Sequence, residues 1–400
     1  MKKAYDVTVA GHICLDIIPK FADTGLRDIA SLFVPGKLIN VGAAKISTGG
    51  PVSNTGIAMK KLGLNVAFMA RVGEDEFGRL VVRLLEAQGS TDGVSMSSED
   101  RTSYTVALAP PGIDRIFLHD PGANDRFSGR ELDADIIAQS RLFHFGYPPL
   151  MAACYEREGE ELAHIFQLAK RAGAITSLDM SLPDPNNPSG KAPWKKILES
   201  VLPHVDIFLP SIEEVFFMLD SSRYFRIKEQ FGAQDVIDYF QPEDFRRLAE
   251  RCLDLGCAIV ALKTAHRGFY IRTADVAKHA AFERLNGFDA NGWSDREVWC
   301  PAYRIERIAS ATGSGDSSIA GFLTALIRGQ SIETALQCAN CVGFQNLHEL
   351  DAISGIKTWD ETIAMIRDKS MKRIDPSLPA DSWTWDEQKK VWFGNKDLSK

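Results

Sequence analysis

The stretch Ser310–Gly329, SATGSGDSSIAGFLTALIRG, places two glycines and an aspartate directly ahead of an apolar run. Ile319, Phe322, Leu323, Leu326 and Ile327 recur at helical spacing, and Gly329 suits the end of a helix. A helix N-terminus carries unpaired N–H groups and the positive end of the helix dipole, so it can hold an anion. Glycines let the backbone approach a phosphate closely. Gly313, Ser314 and Gly315 would then offer N–H groups to a phosphoryl group. Asp316, in the first turn beside it, would be placed to take a proton from an attacking hydroxyl. Aspartate is also a common, stabilising residue in a first helical turn, so on this stretch alone both readings stand. The chain has no G-x-x-x-x-G-K-[ST] and no strand–G-x-G-x-x-G–helix unit. That removes the P-loop and the dinucleotide fingerprint.

Outward from this stretch, short apolar strands alternate with helices. YDVTVAG, NVAFMARVG, RLFHFG, AITSLDM, VDIFLP, CAIVALK and GFYIRT have strand character. GGPVSNTGIAMKKLG is a glycine turn followed by a helix, with Pro51 in its first turn and Gly63 at its end. The alternation predicts an α/β fold: a parallel or mostly parallel, Rossmann-like sheet with helices on both faces. Two β-only segments, about 16–48 and 98–124, interrupt the pattern. The first is expected to hold short exposed strands at about 31–48, the second a hairpin turning at PPGID. Together they suit a small β lid over the end of the main sheet. Residues about 221–245 are polar and show no period, as expected of an insertion. The domain would then span 1–370, and the tail 371–400, with Trp383, Trp385 and Trp392, is expected to pack on the body or on a partner.

The 400 residues are 45% hydrophobic and 25% charged, enough apolar mass for a sizeable core. A formal charge of -7 argues against general nucleic-acid or anionic-membrane binding. No apolar run reaches the length of a membrane span, and Asp6 interrupts the signal-like start. The seven cysteines are scattered, which suggests reduced thiols and a cytoplasmic protein. Cys338 and Cys341 form a C-x-x-C, but inside a helical pattern and without a second pair, as two core thiols would.

At this point the chain resembles the ribokinase-like (PfkB-type) carbohydrate kinases, in order over about residues 5–365. TGSGD (Thr312–Asp316) is similar to that family's C-terminal signature, and STGGPVSNTGIAMKKLG to its N-terminal one. GHICLD resembles the family's start, ahead of both, and VGEDEFG, PGAND and SIEE fall between them in the expected order. The resemblance implies ATP-dependent phosphorylation of a sugar or polyol with Mg²⁺, by a homodimer whose lids pair. Asp316 would be the general base, with Gly313, Ser314 and Gly315 as anion hole. Asp16, Gly49, Gly50, Asn54 and Asn124 would hold the acceptor. Ser211, Lys263, Thr264, Gly268 and Asn340 would face the nucleotide, and Glu214 would organise the metal. The residue types fit these roles chemically, since amides and carboxylates bind hydroxyls, a hard oxygen suits magnesium and an ammonium suits phosphate. Read singly, Asp16 can equally end a strand, Asn54 cap a helix, Glu214 sit solvated and Lys263 snorkel.

Three departures stand out. Ser211 replaces the asparagine of N-x-x-E. Ser310 replaces an aspartate that in many relatives helps bind a monovalent cation, so weak potassium dependence is expected. LDMSLPDP keeps Asp179 but has Ser181 and Pro183 where several sugar-acid and fructose kinases carry Asn and Arg. Nucleoside or sugar-phosphate kinases of the same family, and a non-catalytic sugar-binding regulator on the same fold, are the alternatives.

Overall fold

The computed structural model describes residues 3–23, 25, 28–111, 116–232, 236–395 and 397. Its strands, in chain order, are β1 (Tyr5–Gly11), β2 (Cys14–Ile18), β3 (Lys45–Gly49), β4 (Val66–Gly73), β5 (Ser90–Ser97), β6 (Tyr104–Leu108) and β7 (Ile116–Asp120). They continue with β8 (Ser140–Gly146), β9 (Ile175–Asp179), β10 (Ile207–Phe208), β11 (Ile259–Lys263), β12 (Phe269–Thr273), β13 (Glu297–Cys300), β14 (Trp383–Asp386) and β15 (Val391–Gly394). Eleven form one sheet in the order β14-β15-β13-β12-β11-β10-β9-β8-β1-β4-β5. From β5 to β11 the neighbours run parallel; from β11 outward to β14 they are antiparallel.

Strand residues alternate between two apolar layers, as a sheet covered on both faces requires. On β1, Val7 and Val9 join one cluster with Phe68, Ile259 and Phe322, while Ala10 joins the other with Phe143, Phe145 and Phe166. The di-glycine helix Pro51–Lys61 and the helix Ser314–Ile327 belong to the first layer, where they pack on each other.

The two β-only segments meet as expected, in a second sheet of order β3-β2-β6-β7. It is mixed: β2 pairs parallel with β6, and the flanking pairs are antiparallel. The PPGID turn lies largely outside the described residues. The exposed strands expected at about 31–48 reduce to β3 alone. Ile29–Leu32 is a short helix capped by the Asp28 side chain, and the chain to residue 44 is irregular, because Pro35 and Gly36 break the alternation. β5 was not expected: its sequence STDGVSMS is polar, as an edge strand with few buried positions can be. Within 221–245, Ser221–Phe231 is a helix; only Tyr224 of it is buried, which leaves little period to read.

The three-tryptophan segment is a hairpin, β14–β15, added antiparallel to β13. Trp383 is 2% exposed and meets Tyr270 and Trp299 edge-on at 6.2 and 6.0 Å. Asp397 anchors the far end, accepting the Glu297 N–H at 2.6 Å and pairing with Arg296. Trp383→Ala is expected to remove about 3–5 kcal/mol of unfolding free energy, as for other buried aromatic truncations. Urea denaturation will show a large fall in midpoint for Trp383→Ala and a small one for the half-buried Trp385→Ala.

Candidate active site

The predicted residues converge at the carboxyl ends of the parallel strands, where ligands bind in open α/β sheets. Gly11, Gly146 and Asp179 lie side by side at the ends of β1, β8 and β9. Ser211 bridges Lys263 at the end of β11.

Asp316 sits in the first turn of its helix and is 1% exposed. Gly313, at φ 73°, takes the left-handed conformation that starts this helix without a side-chain cap, a turn that favours glycine. The carboxylate accepts three hydrogen bonds: Asn54 Nδ2 at 3.0 Å on Oδ2, Thr55 Oγ1 at 3.2 Å and the Tyr147 hydroxyl at 2.9 Å on Oδ1. Burial pushes its pKa up, while these donors and Lys263 pull it back. Tyr147, held at φ 65° after β8, has its own pKa raised well above the usual range by burial and by Asp316. Neither Thr55 nor Tyr147 was singled out from sequence. Thr55 is visible only as the neighbour of Asn54, and Tyr147 only as a residue between a strand end and two prolines.

Lys263 joins the centre from β11. Its side chain lies 3.5 Å from where a Cβ on Gly315 would stand, an ordinary contact distance that makes the two immediate neighbours. Its ammonium pairs with the buried Asp179 at 2.5 Å. Burial, with Glu214 and Asp316 adding to it against Lys263, pushes Asp179 up to about 8; Glu214 is also raised, first by burial. Lys263 is raised by the surrounding carboxylates despite its burial, and we assign it the charge. One ammonium faces three carboxyls, so the centre has room for further positive charge. Ser211 and Glu214 cap their helix reciprocally: Glu214 Oε2 accepts the Ser211 N–H at 2.6 Å and Ser211 Oγ accepts the Glu214 N–H at 3.2 Å. The serine therefore replaces an asparagine without loss of the cap.

The side expected to hold the acceptor is built from β1, the small sheet and the di-glycine turn. Gly50 takes φ 84°, and a Cβ on it would meet His12; a Cβ on Gly49 would run into the Asp16 carboxylate. Asp16 is pushed up to about 6, first by burial, with Asp316 adding to it. His12 and His119 face each other here; His119 was also not anticipated.

Two of the predicted residues bond the backbone through their amides. Asn124 does not turn its amide to the site: Oδ1 accepts the Ile13 N–H at 3.1 Å and Nδ2 donates to the Ile13 carbonyl at 2.8 Å. Its amide matches a backbone donor and acceptor and holds the β1–β2 corner. Asn340 donates to the Cys300 carbonyl at 2.8 Å, which fixes the end of β13. Gly268 accepts the Thr264 N–H at 3.0 Å and closes that turn, whereas the buried Thr264 hydroxyl has no partner among the described residues. His12 Nδ1, Asn54 Oδ1, Asp179 Oδ2 and Ser181 Oγ share that lack. Buried polar atoms are normally satisfied, and these leave donors and acceptors open near the ends of β1, β9 and β11. A cleft of about 1580 Å³ elsewhere, lined by Tyr303, Trp359, Arg373 and Trp385 among others, contains none of the predicted residues.

The sequence model described as "pfkB family carbohydrate kinase" matches residues 6–359. The chain is 25% identical over 370 residues to fructokinase-1 of Oryza sativa subsp. japonica, covering 89% of this chain and 96% of that one. Two solved structures share the fold. A fructokinase with bound ATP from Xylella fastidiosa aligns at TM-score 0.66 and 17% identity over 92% of this chain and 99% of its own. A ribokinase of Arabidopsis thaliana complexed with ribose and ATP aligns at TM-score 0.65 and 17% identity over 92% and 100%.

Asp16 yields a stability test. Its carboxyl titrates near 3.8 ordinarily and near 6 in the fold. Between these values the folded state holds the extra proton, so its contribution is intact below the lower value and lost as pH rises through the upper. Asp16→Asn is expected to stabilise the ligand-free protein by about 1–3 kcal/mol at neutral to alkaline pH, a gain that shrinks toward zero in acid. Urea titrations of both proteins across this range check the sign.

Proposed function

The chain belongs to the pfkB family of carbohydrate kinases, and from that premise we propose that it moves the γ-phosphoryl group of ATP to a hydroxyl of a free sugar or polyol, with Asp316 as general base. The observation that carries this reading is the buried Asp316 carboxylate, fixed by three donors in the first turn of a helix that opens on Gly313–Gly315 beside Lys263. The acceptor oxygen attacks phosphorus and its proton passes to Asp316. The new O–P bond forms as the bridging bond breaks, and the electron pair leaves with ADP. The glycine-rich N–H groups and Lys263 offset the charge on the transferring group. The three donors keep Asp316 ionised and aimed, while burial keeps it basic enough to accept the proton.

Asp16 and the free Asn54 Oδ1 are placed to take acceptor hydroxyls, and the unpartnered Thr264 hydroxyl to meet the nucleotide. The donor set also fits a magnesium-bound nucleotide: Asp179 Oδ2 is unpartnered and Glu214 lies close enough to raise the Asp179 pKa. These hard oxygens suit magnesium, which would supply neutralisation of phosphate charge. The fructokinase relatives support a free sugar as acceptor. The cysteines are all unpaired thiols, which supports a reducing compartment such as the cytoplasm. No described helix is long and apolar enough to cross a membrane.

Asp316→Asn keeps the shape of the carboxylate but is a poor proton acceptor, so kcat should fall by about 10²–10⁴. ATP affinity should change little, because a base acts mainly in the transition state. An ATP-consumption assay over sugars, polyols and nucleosides identifies the acceptor and then tests this variant; turnover near wild type would refute the assignment. Tyr147→Phe removes a donor that lowers the Asp316 pKa, so the acidic limb of the kcat–pH profile should move to higher pH.

The same reading includes a homodimer formed through the small sheets. Ile46 and the residues Ile116, Phe117 and Leu118 of the outer strand β7 are 39–54% exposed, apolar side chains that support a partner. Sedimentation should give twice the 44.2 kDa chain mass for the wild type, and the chain mass for Phe117→Asp.

A further inference from the structure

The chain after residue 359 lies beyond the match to the family model, yet it is tied into the loops expected to face the nucleotide. Residues 371–375 run as a strap beside the chain that leaves β13. The Lys372 carbonyl accepts the Arg304 N–H at 2.8 Å, the Ala302 carbonyl accepts the Ile374 N–H at 2.9 Å, and Tyr303 and Arg373 form an antiparallel bridge. Arg373 adds its side chain. Nη1 donates to the Pro301 carbonyl at 2.8 Å, Nη2 donates to the Tyr303 hydroxyl at 3.0 Å, and the guanidinium stands 4.1 Å from the centre of the Tyr303 ring. Irregular chain needs partners for its backbone groups, and here the strap supplies them. Beyond this hold the chain is exposed from Glu306 to Ala309 and then enters the Gly313 turn that opens the Asp316 helix.

A second arginine holds the neighbouring loop, Thr264–Gly268, which joins β11 to β12. Its backbone is strained: Ala265 takes φ 45° and Gly268 φ 103°. An alanine in the left-handed region is costly and persists only where its surroundings enforce it. Arg267 provides that enforcement. Nη1 donates to the Phe240 carbonyl at 2.8 Å and the Ile237 carbonyl at 3.3 Å, and Nη2 donates to the Pro376 carbonyl at 3.4 Å. The guanidinium lies 5.3 Å from the ring centre of Phe245 and 5.1 Å from that of Trp299, whose Nε1 donates to the Arg267 carbonyl at 2.8 Å. The terminal nitrogens of Arg267 are thus spent on the insertion and the tail. The two loops also touch, since a Cβ on Gly268 would run into the Cys300 carbonyl and the Ala302 N–H. A shift of one displaces the other, and with them the open Thr264 hydroxyl and the Cys300 carbonyl that Asn340 binds.

We infer that the C-terminal tail is a working part of the nucleotide site, and that Arg267 and Arg373 are positioning residues through which it holds both loops in the shape that ATP meets. This rests on the phosphotransfer reading of the same site.

Calorimetric titration of the full chain with MgATP, without acceptor, reads the effect directly. Arg267→Met and Arg373→Met should each raise the Kd about tenfold, the worth of about one lost hydrogen bond. Arg267→Lys should stay close to Arg267→Met, because an ammonium cannot span three carbonyls as the planar fork does. Trp385→Ala, which loosens the hairpin but bonds neither loop, should keep the wild-type Kd. With the acceptor that the ATP-consumption assay identifies, the acceptor KM of both methionine variants should stay within about twofold of wild type. The inference is overturned if both variants bind MgATP as the wild type does while their urea midpoints fall, since the arginines would then serve stability alone. Full affinity in Arg267→Lys, a weakened Trp385→Ala, or a parallel rise in acceptor KM would overturn it too. Should Arg267→Met fail to fold, Arg373→Met decides by the same readings. If the wild type neither binds MgATP nor phosphorylates any compound, the phosphotransfer reading falls and takes this one with it; MgATP binding indifferent to both arginines removes this one alone.

Discussion

A carboxylate withdrawn from water must be met by donors, and the placement of the Asp316 donors organises the rest of the site. Two come from consecutive residues of the di-glycine helix, Asn54 and Thr55, and the third from Tyr147 beyond β8. One side chain thus joins the N-terminal turns of two packed helices to the end of a central strand. The bare Gly49–Gly50 step follows from the same crowding, because the start of the di-glycine helix has to pass directly beside Asp16 and His12. Displacing Asp316 would uncouple the di-glycine helix from the glycine-rich turn.

Negative charge is concentrated at this edge. Asp16, Asp179, Glu214 and Asp316 are all raised by burial, and Lys263 is the ammonium that acts on Asp179, Glu214 and Asp316. In isolation such an arrangement works against the fold, whose stability is built in the two apolar layers on either side of the sheet. On the proposed function, magnesium brought with the nucleotide would offset this charge on one side, and acceptor hydroxyls would donate to it on the other. Folding energy and ligand affinity are therefore linked through the same carboxyls.

The sheet core was legible because strands buried on both faces are continuous apolar runs, as in CAIVALK and YDVTVAG. The site was legible where glycine and a carboxylate meet a helix start. Elements with few buried residues escaped: β5, the helix Ser221–Phe231 and the irregular chain before β3 have little period to reveal. Side-chain direction was also out of reach. Asn124 and Asn54 are both asparagines in motif positions, yet one spends its amide on the Ile13 backbone and the other donates to Asp316. Tyr147 and His119 act across 169 and 107 positions of chain, a separation that no local pattern encodes.

The C-terminal hairpin gives the fold a direction in time. β13 receives its outer neighbour from Val391–Gly394, so during synthesis the sheet stays open along that edge until these residues have left the ribosome. Until then the unpaired backbone of Val298 and Trp299 is a template for another strand. A nascent or truncated chain is thus most exposed to misassociation at the edge furthest in strand order from β1, where folding can begin. Chaperone demand should concentrate there, late, and independently of the active site.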